Sequence, residues 1–134
     1  MACQPGRSLE RVPALPYNAS MIQPSSLASR AVRVLVTEAI RQRPEEGMLV
    51  LADEGSPLAR NLAAAYQAEF PWAEALPWHP DQAEATKGRL RALPPGTLVV
   101  LVQSASFRLD AFRIRLELFA RGLKTIEHVH LARM

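Results

Sequence analysis

"GMLVLADEGSPLARNLAAAY", residues 47–66, decides the fold. Met48 to Ala52 form an unbroken apolar run of strand length, and such a run, with no alternation, marks a strand covered on both faces, as in parallel sheets. Asp53-Glu54-Gly55 interrupts it. Ser56 then stands where a helix N-cap belongs and Pro57 where the first helical residue belongs, which together form a strong start signal. The helix that follows places Leu58, Leu62, Ala65, Tyr66 and Glu69 on one stripe and ends near Phe70-Pro71. A strand leading directly into a helix is the opening of a β-α-β unit.

Working outward toward the C-terminus, "AEALPW" (73–78) reads as a short strand. Pro77 cannot donate to a ladder, so this strand belongs at a sheet edge. Asp81 and Glu84, after Pro80, have the spacing of a capping box and predict a third helix to about Leu93. Pro94-Pro95-Gly96 ends it, and "TLVVLVQ" (97–103) is a second buried strand. "SASFRLDAFRIRLELFARG" (104–122) supplies a fourth helix with Gly122 as its C-terminal cap, and "LKTIEHVHL" (123–131) a last strand.

Toward the N-terminus, Ser25 or Ser26 offers a cap for "LASRAVRVLVTEAIRQR" (27–43), which Pro44 and Gly47 stop. Its apolar residues cover more than half the circumference, predicting burial on several sides. Residues 1–24 hold Pro5, Pro13, Pro16 and Pro24 among polar residues and read as an irregular arm. Residues 25–134 then form a single α/β domain. The expected fold is a three-layer, four-stranded parallel sheet in the order 2-1-3-4, flavodoxin-like or Rossmann-like, with right-handed crossovers. The sequence stops at Met134 directly after the last strand, which suggests a fragment of a longer protein or an edge covered by a second copy.

Composition narrows the function classes. The 134 residues carry a formal charge of +3, spread without a block, and lysine occurs only as Lys87 and Lys124. No aromatic-interleaved basic module is present, which argues against nucleic acid. No apolar stretch approaches the ~20 residues of a membrane span, and the N-terminus lacks a signal-peptide core, so a cytoplasmic protein is expected. Cys3 is the sole cysteine, so neither an internal disulfide nor a thiolate metal site can form.

The fourth helix carries two apolar stripes: Phe107, Ala111, Ile114 and Leu118 on one side, Leu109, Phe112, Leu116 and Phe119 nearly opposite. The first stripe suits the sheet. The second needs the first helix, the arm, or another domain or subunit. Asp110, Arg113, Glu117 and Arg121 form an alternating row of in-helix ion pairs. Arg108 and Arg115 lack such partners, and Arg108 sits unfavourably in the first helical turn.

In open parallel sheets ligands bind beyond the carboxyl ends of the strands where the strand order reverses. That point falls between Asp53, Glu54, Gly55, Ser56 on one loop and Gln103, Ser104, Ser106, Arg108 on the other. These eight residues are the candidate ligand-binding set. A dinucleotide fingerprint needs three glycines and finds only Gly55. A phosphoacceptor aspartate is absent after the third strand, where Gln103-Ser104 stand. Serine catalysis lacks a nearby base, since the histidines lie elsewhere. His128 and His130 alternate on one strand, the simplest metal-chelating spacing, but two histidines alone make a weak metal candidate.

Residues 47–66 together with "VVLVQSASFRLDAFRIRLELFARGLKTIEH" (99–128) resemble the N-terminal α/β domain of the leucyl aminopeptidase, aminopeptidase T-like family of metal-dependent peptidases. Ser104, Ser106, Arg113, Ala120 and Gly122 occupy the matching places. The resemblance implies a non-catalytic domain that packs on a catalytic partner domain, with any divalent metal held in that later domain and none in this chain. It carries over no catalytic residue. The expected partners are that C-terminal domain or a second copy, through the fourth strand and helix, with no membrane involved. The alternative is an independent small-ligand module using the crevice.

Overall fold

The structure, a computed structural model, describes residues 24–104 and 111–128. The arm of residues 1–23 lies outside them, as do Ser106, Arg108 and His130. Helix α1 (Ser26–Val34) continues as a π-helical segment, Leu35–Ile40. Strand β1 (Met48–Ala52), helix α2 (Pro57–Glu69), strand β2 (Glu74–Pro77), helix α3 (Ala83–Arg91), strand β3 (Leu98–Val102), helix α4 (Ala111–Ala120) and strand β4 (Lys124–His128) follow.

The four strands form one parallel sheet in the order β2-β1-β3-β4, the expected 2-1-3-4. Val50 stands opposite Ala75 on one side and Val100 on the other, and Val100 opposite Ile126. Side chains alternate between faces along each strand. Met48, Val50, Leu98, Val100 and Val102 therefore pack with Ala28, Val32 and Val36 of the first helical segment and with Ala59, Ala65 and Tyr66 of α2. Leu49, Leu51, Val99 and Leu101 pack on the other face with Leu90 of α3 and Leu118 of α4. Both central strands are covered twice, which is why their sequences read as unbroken apolar runs.

The edge position of β2 follows from its proline. Trp78 N–H donates to Ala52 O at 2.9 Å, so the neighbouring residue's nitrogen, that of Pro77, turns toward the outer side. A residue without an N–H is tolerated there.

At the end of α4, Leu123 N–H bonds Leu118 O and Gly122 N–H bonds Phe119 O, with Gly122 in the left-handed region at φ 83°. Leu118 and Leu123 are both buried, completing a Schellman cap with its apolar contact.

Two local expectations are corrected. The first helix buries one stripe, Ala28, Val32 and Val36, while Leu27 and Val34 are exposed. Among the described residues its packing partners are α2 and one face of the sheet. It ends at Arg41, which adopts the left-handed conformation at φ 61°, ahead of Pro44 and Gly47. The Asp81–Glu84 capping box does not form: a 3-10 turn, Pro80–Gln82, precedes α3, Gln82 caps without a side-chain bond, and Glu84 instead accepts from Lys87.

Candidate functional site at the carboxyl ends of the strands

The first and third strands end side by side, and the loops beyond them meet as expected. Asp53 N–H donates to Val102 O at 3.1 Å, continuing the ladder past β1. The Asp53 side chain then turns across the gap. Its Oδ2 accepts the Ser104 N–H at 2.8 Å and its Oδ1 the Gly55 N–H at 2.9 Å. The second bond is an Asx turn, the local geometry that Asp adopts two residues before its donor.

Gly55 has no room for a side chain. A Cβ there would clash with Ser104 Oγ, so the two loops are in direct contact. Ser56 is buried, and its Oγ accepts from Ala59 N–H at 3.1 Å as the cap of α2. Gln103 and Ser104 are buried as well. Glu54 offers its main-chain oxygen to Arg60 Nη1 at 2.9 Å, and its side chain is at the surface.

The structure thus brings together Asp53, Gly55, Ser56, Gln103 and Ser104, with Glu54 at the rim. Asp53 joins Gly55 and Ser104 by hydrogen bonds, while Ser56 bonds Ala59 and Gln103 bonds His128. Both Asp53 oxygens have main-chain donors and the Ser56 hydroxyl is engaged as a cap. Neither serine has a histidine positioned as a base among the described residues. Among the described residues the chemistry available is that of a clasp between two strand ends. One strand over lies a mostly apolar slot of about 60 Å³ lined by Ala52, Glu54, Ala63, Gln67, Ala75 and Pro77. By comparison, an engineered apolar cavity of ~150 Å³ binds benzene.

His128, at the end of β4, faces α2 rather than solvent. Its Nε2 lies 2.7 Å from the Tyr66 hydroxyl, and the two rings are 5.6 Å apart. Burial pushes the Tyr66 phenol well above its ordinary range and holds the His128 imidazole below its own. No group of three or more His, Cys, Asp or Glu side chains is placed to hold a metal ion among the described residues.

Sequence reasoning missed this pair. An isolated tyrosine on a helix and a histidine on a strand 62 residues later carry no local signal of contact. It also missed Gln42, buried at the amino ends of the strands. Gln42 Nε2 donates to Gly47 O at 2.8 Å and Gly96 O at 2.7 Å, and its Oε1 accepts from Lys124 Nζ at 2.8 Å.

Compared with known protein families, with curated proteins and with solved structures, the chain matches none. The fold and the geometry above are therefore what a functional reading has to rest on.

The described end of α4 presents a second surface. Glu117 turns toward α3, accepting from Arg91 Nε at 2.7 Å and Nη2 at 3.3 Å, with Arg121 Nε at 3.5 Å. The Arg91 hydrogen bond, more than the charge beside it, holds the Glu117 carboxyl below its ordinary range. Two residues on, or about 200° around the helix, Phe119 points away from α3. Phe119 is 78 % exposed and Leu116 is 55 % exposed. Helix α1 lies across the sheet from α4, so it does not cover Leu116 or Phe119. Among the described residues no helix is long and apolar enough to cross a membrane.

Proposed function

We propose that the chain is a non-catalytic α/β domain that packs through α4 on the catalytic domain of an aminopeptidase-like protein. One observation carries this reading: Phe119 and Leu116 stand exposed on the flank of α4 turned away from α3. Full burial of a large apolar side chain is worth about 1.5 to 3 kcal/mol, which favours a covering surface. The clasped crevice supports the non-catalytic part, since Asp53 is taken up by Gly55 and Ser104 and the Ser56 hydroxyl by Ala59. The same closure weighs against the small-ligand module.

The reading is tested with the purified full chain and a panel of aminoacyl chromogenic substrates, with zinc, manganese or cobalt added in turn. No hydrolysis above buffer is expected. Metal-dependent turnover that follows the protein through two orthogonal purification steps overturns it.

A further inference from the structure

We propose that Tyr66 and His128 form an acid-sensitive latch at the carboxyl end of the sheet, protonation of His128 detaching the end of β4 from α2 and from the Gln103-Ser104 turn. The inference is independent of the docking role of α4. It starts from where the two side chains sit. Tyr66 is fully buried in the core cluster under α2, and His128 is the last residue of β4. Their 2.7 Å hydrogen bond joins a helix to a sheet-edge strand. Among the described residues His128 is the phenol's only hydrogen-bond partner.

A buried phenol needs an acceptor. The neutral imidazole supplies one at Nε2 when its proton is on Nδ1. The imidazolium has N–H at both nitrogens and can only donate. Protonation of that tautomer reverses the bond, Nε2–H then donating to the phenol oxygen, so the phenol O–H loses its acceptor and a charge enters a site with no counter-ion among the described residues. The neighbouring charges are otherwise engaged. On β4, Lys124 shares the face but is held by Gln42 and Glu46, while Glu127 points to the opposite face. On α2, Arg60 is bonded to Glu54 O, and Glu69 to Arg33 of α1. Arg30, also on α1, is a cation and cannot neutralise an imidazolium. From β3 and its loop come Val102, the Gln103 main chain and Ser104, and Asp53 beyond them is occupied by Ser104 and Gly55. Burial is accordingly the force that disfavours the charged ring.

What the latch holds is the candidate crevice. Gln103 N–H donates to His128 O at 2.9 Å, and the next residue, Ser104, donates its N–H to Asp53. If the end of β4 leaves, Gln103 loses its acceptor and one wall of the clasp is loosened. The amino end of β4 is anchored separately, through Lys124 N–H to Thr97 O at 3.0 Å. The opening is thus local.

The test is an NMR pH titration of the full chain from pH 8 to pH 4.5, following the His128 ring and the exchange protection of two amides. His128 is expected to titrate below its ordinary value of about 6.5. Gln103 protection should fall as it does so, by about tenfold for each unit by which His128 is depressed. Lys124 protection, corrected for intrinsic exchange, should hold. His128→Gln, which keeps a hydrogen-bond partner without a titrating group, should remove the pH dependence at Gln103. Titration of His128 at or above 6.5, Gln103 protection that ignores it, or equal losses at Gln103 and Lys124 would each overturn the latch. The wild-type titration decides even if the variant does not fold.

Discussion

The Asp53 carboxylate holds the Ser104 main-chain N–H at 2.8 Å across 51 residues of sequence, and this bond fastens together the two loops where a ligand of an open parallel sheet would otherwise enter. Asp53→Ala leaves two donors, the Ser104 and Gly55 N–H groups, without their acceptor. Leaving a partly buried donor unsatisfied costs about 1 to 3 kcal/mol. Urea denaturation should show a loss in that range with little change in slope, and Asp53→Asn, which keeps one acceptor oxygen, should lose less.

Gly55→Ala should destabilise for a different reason. The added methyl carbon would clash with Ser104 Oγ, so the Ser104 side chain or one of the loops must shift. Overpacking of this kind costs about 1 to 3 kcal/mol. Thermal unfolding of the variant tests this, and a melting temperature equal to that of the parent would show that the loops are not in contact.

Adjacent residues on α4 should respond in opposite ways. Leu118 is fully buried against Leu49, Leu101 and Leu123, and Leu118→Ala should cost about 2 to 5 kcal/mol. Phe119 is 78 % exposed, and Phe119→Glu should leave stability within about 0.5 kcal/mol. Equal losses at both positions in chemical denaturation would mean that the second stripe is buried in the folded chain.

Stability should decline on the acid side of neutrality. For His128, the folded-state value is depressed by burial, so the unfolded chain binds the proton more readily. The stabilisation from a neutral His128 is complete above about pH 6.5 and is lost as pH falls from there toward the folded value. Glu117 and Glu46, both depressed by hydrogen bonds first, add a separate decline at lower pH, below the ordinary carboxylate value near 4.5. Denaturation midpoints measured from pH 8 to pH 4 should show the first decline in the parent and not in His128→Gln.

The sheet was legible because its signals are local or periodic. Met48–Ala52 and Leu98–Val102 announce doubly covered strands by composition alone, Ser56-Pro57 fixes the start of α2, and Pro77 assigns β2 to an edge. The crevice was legible only in outline. Topology placed Asp53 beside Ser104, but whether a carboxylate receives a ligand or a main-chain N–H depends on a few tenths of an ångström between loops that are distant in sequence. The Asx-turn spacing of Asp53 and Gly55 was the one local hint of the second outcome. The breadth of apolar residues on the first helix misled, because Leu27 and Val34 are apolar without being buried. Tyr66–His128 and the Gln42 network are tertiary contacts between unrelated segments, and no spacing within either segment encodes them.

Docking through α4 is tested most directly by amide NMR of the labelled full chain titrated with the isolated catalytic domain of a leucyl aminopeptidase-like metal-dependent peptidase. A docking role requires saturable shifts centred on Leu116 to Leu123, absent in Phe119→Glu, with the Asp53–Ser56 and Gln103–Ser104 amides undisturbed. Shifts centred on those crevice amides, or none at all with the catalytic domain in large excess, would contradict it.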